Sequence, residues 1–400
     1  QNISLKKGEF VSSPWRFVDL ENNEIKGHAS RTRLIISYYD DEGKLPLLDS
    51  IRQAEELLIS QHIPKSYLPM EGLLELRKAS QFLLFGEDNP LIKEGRIQTV
   101  QTVAGSGALR IAADFLREYF PQSQVHVSDP TWSNHISIFQ AAGFVVKKYP
   151  YYDYHHGDLA FEPLIDYINK LKRHSIILMQ PCCHNPTGVN LNHEQWDQLL
   201  SLLKEKQLIL IFDSAYQGLG EGLAEDAYAI RRAAYMGLNF LLCNSYSKNM
   251  SLYGERVGVL SVVAENQEIA SNVFSQFQLA VRRLYSSPPR HGGHLASIVL
   301  NTPQLYRQWV EEVDTMRTRI SNMRRSLQKR LSDNLPEQNF SYLTKQQGMF
   351  SFTGLTPEQV EFLRKECAVY LVANGRICIS ALNQYNIDYV AESFVKVLQK

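Results

Sequence analysis

No stretch of this 400-residue sequence approaches the roughly 18 consecutive apolar residues that a membrane-spanning helix needs, although 44% of its residues are hydrophobic. Nor does one sign of charge dominate, since 42 Lys and Arg face 42 Asp and Glu. That balance argues against broad electrostatic attraction to nucleic acid or a membrane surface and leaves room only for a local basic pocket. Cysteine is scarce and odd in number, five in all. Cys182 and Cys183 are adjacent, while Cys243, Cys367 and Cys378 are scattered without metal-ligand spacing. A disulfide framework is therefore not expected, nor is a metal, and a reducing cytoplasm fits best. Repeats and low-complexity tracts are missing as well. The opening QNISLKKGEF carries neither an initiating Met nor the apolar core of a secretory signal, which suggests a trimmed start and a cytoplasmic location.

What is present is a chain too long for one usual core, so two domains are expected. Apolar runs at 99–103, 124–128, 175–179, 208–212, 239–243 and 257–263 read as strands, with helical stretches such as 107–119 and 193–206 between them. This alternation predicts an α/β layer with a largely parallel sheet covered on both faces. Between 303 and 331, Trp309, Val313, Met316, Ile320, Met323, Leu327 and Leu331 recur at spacings of three and four. They form the stripe of a long packing helix, read as a bridge to a smaller C-terminal domain.

In open α/β sheets, ligands sit beyond the carboxyl ends of the strands. Residues following each strand are therefore the candidates. After 99–103 come Gly105, Ser106 and Gly107 at a helix start, suited to an anion such as phosphate, although a Gly-rich turn is often only a turn. Trp132 in DPTW can stack on a flat ring or be an ordinary half-buried tryptophan. Asn185 in HNPTG can donate to a ring oxygen or simply make an Asn-Pro turn. Asp213, at the end of a very apolar strand, calls for a cationic partner unless it caps a helix, and Tyr216 lies three residues on. Lys248 sits among small polar residues after another buried strand, where desolvation makes a usable amine; a solvated surface lysine is the default reading. Arg256 is a fixed cation suited to phosphate. Each signal is modest, but jointly they describe one ligand, because pyridoxal phosphate requires an attaching lysine and an acid for its ring nitrogen.

With these residues in view, the chain resembles the class I, fold-type I aminotransferases, in the aspartate/aromatic branch. The likeness runs over roughly 38–400 through GSGALR, DPTWSNH, CCHNPTG, FDSAYQG, SYSKNMSLYGERVG, YSSPP, GMFSFTGL and ANGRICIS. The resemblance implies a large domain with a mostly parallel seven-stranded sheet between helices, plus a smaller α+β domain. The expected division is an N-terminal arm with part of the small domain at 1–45, the large cofactor domain at 46–312 and the small domain at 313–400. It also implies roles. Lys248 attaches to pyridoxal phosphate and moves the proton; Asp213 keeps the ring nitrogen protonated, backed by His135. Tyr216 and Asn185 bond the ring oxygen and Trp132 stacks on the ring. Gly105, Ser106, Ser245 and Arg256 hold the phosphate. Arg376 grips the substrate α-carboxylate and Phe350 lines the substrate side. Arg282, reading a distal carboxylate, and Tyr67, touching the phosphate, reach across from a second copy, so a homodimer with shared sites is implied.

The implied reaction is ping-pong transfer of an amino group from aspartate, with tyrosine and phenylalanine as further donors, to 2-oxoglutarate. Aromatic transamination as the main activity, a different pyridoxal-phosphate reaction and a non-catalytic regulatory homologue are the alternatives. The two arginines argue against the second of these and the complete lysine–aspartate–arginine set against the third. Four departures from the family pattern stand out: Ile36 in place of a lid glycine, Gln180 in place of a histidine behind His135, Ser287 in place of an asparagine, and Asn374 in place of a serine.

Overall fold

A computed structural model describes the backbone of Thr32 and Arg33 and all of residues 37–400. Ile36 and most of the expected N-terminal arm lie outside the described residues. The apolar runs form strands close to where the sequence puts them: β1 (Ile97–Val103), β2 (Val125–Asp129), β4 (Ile176–Met179), β5 (Ile209–Ser214), β6 (Phe240–Ser245) and β7 (Val257–Val263). The strand β3 (Val146–Pro150) completes seven. No apolar run marks it, because it is an edge strand whose Lys147 and Lys148 face solvent, a common way of blunting an exposed edge.

The strand order is β1-β7-β6-β5-β4-β2-β3. Pairing is parallel from β3 to β6, and only β7 runs antiparallel to its neighbours. Side chains alternate across the sheet, so each strand feeds two cores. In β6, Leu241 and Cys243 join the layer under α3 (Ala104–Tyr119), while Phe240 and Leu242 join the opposite layer. That opposite layer holds Trp196 of α5 (His193–Glu205) and the long helix α8 (Pro303–Asn334). The apolar stripe read from the sequence is the buried face of α8: Trp309, Val313, Met316, Ile320, Leu327 and Leu331 are all buried.

Trp309 links this packing to the site. Its ring is fully buried and its Nε1–H donates to the Asn249 carbonyl, 2.8 Å away, one residue beyond Lys248. Trp309→Ala is expected to cost about 3–5 kcal/mol of stability. Trp309→Phe keeps most of the volume but strands the Asn249 carbonyl, for about 1–3 kcal/mol. Urea midpoints of the two variants check both the size and the order.

Candidate active site

The parallel strands bring their carboxyl ends to one edge, and a cleft of about 250 Å³ opens there. Gly105, Ser106, Trp132, His135, Gln180, Asn185, Asp213, Tyr216, Ser245, Lys248, Arg256, Phe350 and Arg376 all border it. Helix α3 begins at Ala104, one residue before the stretch 105–107 that reads as a helix start, so Gly105 and Ser106 lie in its first turn. Among the described residues no side chain caps that end, which leaves its N–H groups and the positive end of the helix dipole available to an anion. Gly258 of β7 lets the start of α3 lie close against the sheet. A Cβ there would lie 2.6 Å from both the Ala104 carbonyl carbon and the Asn244 carbonyl oxygen. The sequence reading did not single out Gly258, nor Ala104, Ala215 and Ser247, which also border the cleft.

Asp213 is buried and shares a 2.6 Å hydrogen bond with Nε2 of His135. The far ring nitrogen of His135 is bonded to Thr131 Oγ1 at 2.8 Å. Gln180, the departure from the family pattern noted above, is not bonded to His135 among the described residues. Gln180 bonds the peptide of Asn185 instead, and Thr131, one helical turn before His135, takes that place. No Lys or Arg pairs with Asp213 among the described residues, so a buried carboxylate awaits a cation from elsewhere.

Lys248 lies just past β6, with Nζ 5.4 Å from the centre of the Tyr216 ring. Burial pushes its pKa down from the usual lysine value; Asp213 opposes this, while Arg256 and Arg376 reinforce it. Burial likewise raises the Tyr216 hydroxyl far above its ordinary range, so that hydroxyl stays a proton donor. Asn185 Nδ2 donates to the Tyr216 oxygen at 3.4 Å, and Asn185 Oδ1 accepts from Arg376 Nη1 at 2.9 Å. The Arg376 guanidinium lies 4.2 Å from the centre of the Phe350 ring. Residues 350 and 376 come from two paired strands, β8 (Phe350–Phe352) and β9 (Arg376–Cys378). Arg256 donates to the Tyr253 carbonyl at 3.0 Å and is solvent-exposed.

Two predicted residues are not brought into this cleft. Tyr67 is 93% exposed, and Arg282 is exposed in the last turn of α6 (Gln267–Leu284). Neither borders the cleft within one chain. One proximity was invisible in the sequence: Cys182, Cys183 and Asp226 place their ligand atoms within 4.8 Å of one another. Asp226 nevertheless accepts N–H bonds from Gly218, Gly220 and Glu221, so it already serves as the cap of its own loop.

Behind the cleft, His184 bonds Ser128 and Thr187 and stacks on Tyr151. Burial, helped by nearby His135, lowers its pKa from 6.5 to about 3. The unfolded chain therefore takes up a proton below pH 6.5 that the folded chain refuses. The stability involved is fully present above about pH 6.5 and is lost as pH falls towards 3, at up to about 1.4 kcal/mol per pH unit. Urea melts between pH 7 and 4 are expected to show this slope in the wild type and a flatter one in His184→Gln.

A sheet-end cleft with a buried amine, a buried carboxylate backed by a histidine and an uncapped helix start suits an enzyme that handles small anionic substrates. The chain belongs to the class I and II aminotransferases, whose family model matches residues 32–394. It is 50% identical to the aromatic-amino-acid aminotransferase of Escherichia coli (strain K12), over 90% of this chain and 91% of that one. It is 44% identical to the aspartate aminotransferase of Pseudomonas aeruginosa, again over 90% and 91%. Among solved structures, an aromatic-amino-acid aminotransferase from Burkholderia pseudomallei, covalently bound to pyridoxal phosphate, matches with a TM-score of 0.94 and 41% identity, over 98% of this chain and all of that one.

Proposed function

We propose that this protein transfers the amino group of aspartate, and of tyrosine and phenylalanine as further donors, to 2-oxoglutarate by a ping-pong reaction on pyridoxal phosphate. The observation carrying this reading is that Lys248, Asp213 and Arg376 border one cleft. The donor set fits the cofactor. Gly105, Ser106, Ser245 and Arg256 suit its phosphate, Trp132 its ring face, Asn185 and Tyr216 its ring oxygen, and Asp213 its ring nitrogen. When bound, pyridoxal phosphate supplies an aldehyde for the amino group and a ring that takes up the electron pair left at Cα. The chain's own residues do the rest. Asp213, oriented by His135 and Thr131, holds a proton on the ring nitrogen. Lys248, with its pKa lowered by burial, is available as a free amine to lift the Cα proton and return it on the cofactor side. Arg376 holds the α-carboxylate as a two-pronged donor, with Phe350 beneath it.

The exposure of Tyr67 and Arg282 outside the cleft supports a homodimer in which each copy lends these residues to the other's site. Arg282 then reads a distal carboxylate. The division into a large domain at 46–312 and a small one at 313–400 belongs to the same reading. So does a cytoplasmic location, in keeping with five free cysteines; no helix among the described residues is long and apolar enough to cross a membrane. A second reading, aromatic transamination as the main activity, is favoured by the 50% identity to an aromatic enzyme and by Ser287. Half-reactions with aspartate, glutamate, tyrosine and phenylalanine decide between the two. Arg282→Ala is expected to lower aspartate turnover about 100-fold or more, the scale of a lost charged contact, and to spare phenylalanine. An unchanged aspartate rate removes Arg282 from substrate binding.

A further inference from the structure

We propose that Gln180 is a positioning residue that sets the substrate-carboxylate side of the cleft by holding Asn185; this rests on the transaminase reading above. Gln180 follows β4 directly and borders the cleft. Its carboxamide meets the backbone of Asn185 twice. Oε1 accepts the Asn185 N–H at 2.8 Å, and Nε2 donates to the Asn185 carbonyl at 3.0 Å. One planar group thus satisfies a donor and an acceptor of the same residue, which fixes its position and its rotation together. Only an amide side chain offers both polarities in that geometry; a carboxylate only accepts and an ammonium only donates.

What Gln180 holds is committed at its other end. The Asn185 side chain accepts from Arg376 at 2.9 Å and donates to Tyr216 at 3.4 Å. The order of dependence is therefore Gln180, then Asn185, then the guanidinium that faces the substrate. A guanidinium fork binds a carboxylate well only in one plane, and a small misplacement costs affinity. The neighbouring loop has separate ties. The His184 N–H donates to Asn190 Oδ1 at 3.0 Å, and the Gly188 N–H donates to the His184 carbonyl at 2.7 Å. Losing the Gln180 bonds therefore frees Asn185 without dismantling the loop.

The test uses the holoenzyme and four variants: Gln180→Ala, Gln180→Met, Asn185→Ala and the Gln180→Ala/Asn185→Ala double. Calorimetry gives the dissociation constant of succinate, a dicarboxylate that carries no amino group to react. Kinetics give KM and kcat for aspartate separately. Gln180→Ala and Gln180→Met are both expected to weaken succinate about tenfold, the scale of one or two lost hydrogen bonds, and to raise KM in proportion while kcat moves less. The met variant keeps the volume, so a matching loss assigns the effect to the two bonds rather than to a cavity. In the Asn185→Ala background, removing Gln180 is expected to add nothing. Succinate binding within twofold of wild type in Gln180→Met overturns the role, even if the alanine variant fails to fold. Penalties that simply add in the double variant overturn it as well. A wild type that binds no dicarboxylate overturns the reading of the cleft itself and this role with it, whereas a binding wild type with unaffected variants overturns the role alone.

Discussion

Replacing Lys248 by alanine is expected to lower transamination by about 10⁴-fold or more while leaving the fold nearly untouched. The side chain makes no ion pair with a carboxylate among the described residues; burial, Arg256 and Arg376 disfavour its charge, and Asp213 favours it. Removing it therefore relieves the cost of a buried amine, which offsets part of the packing lost. The loss falls on the chemistry, because no other amine borders the cleft among the described residues. Single-turnover kinetics with aspartate measure the rate, and the visible absorbance of the covalently held cofactor is expected to vanish in the same variant. Since burial lowers the pKa of the free lysine amine, kcat in the wild type, which reports the amine released once substrate is bound, is expected to rise with pH and level off below the ordinary lysine range. A Lys248→Ala protein that keeps the absorbance band or turns over within about tenfold of wild type, far less than a general base normally contributes, removes Lys248 from the reaction.

Asp213→Asn should lower kcat by about 10³-fold or more, the scale of losing a charge preorganised against the reacting group, while KM changes little. The carboxylate is 8% exposed and its described charged-group partner is His135 at 2.6 Å. Holding a negative charge in that surrounding is costly in the absence of a cation. Asparagine keeps the shape and removes the cost, so the cofactor-free variant is expected to melt at or above the wild-type urea midpoint. Stability preserved or raised, together with activity lost, is the signature of a residue placed for chemistry. A clear destabilisation with modest kinetic loss assigns Asp213 to structure instead.

Much of this arrangement was legible one strand at a time. β4, β5 and β6 are buried on both faces, so their apolar runs carry no alternation and are easily recognised, and the polar residue after each run stands out. Asp213, Asn185 and Lys248 were found in that way. They converge because parallel strands end on the same side of a sheet. The strand β3 escaped the same reading because, at the sheet edge, Lys147 and Lys148 interrupt its apolar character. Gly105, Ser106 and Gly107 read as a helix start, and α3 begins one residue before them.

Other features have no local signature at all. Asn185 and Arg376 are 191 residues apart, and they meet because the fold brings Arg376 of β9 to the cleft that Asn185 borders. Gln180 stands out in the sequence only as a departure from the family pattern; the folded loop is what brings the Asn185 peptide within its reach. The sequence by itself determined which side chains can do chemistry, since burial pattern and strand-end position depend on neighbours within a few residues. Which of them act together was decided by the tertiary structure, since hydrogen bonds form between groups about 3 Å apart in space, whatever their separation along the chain.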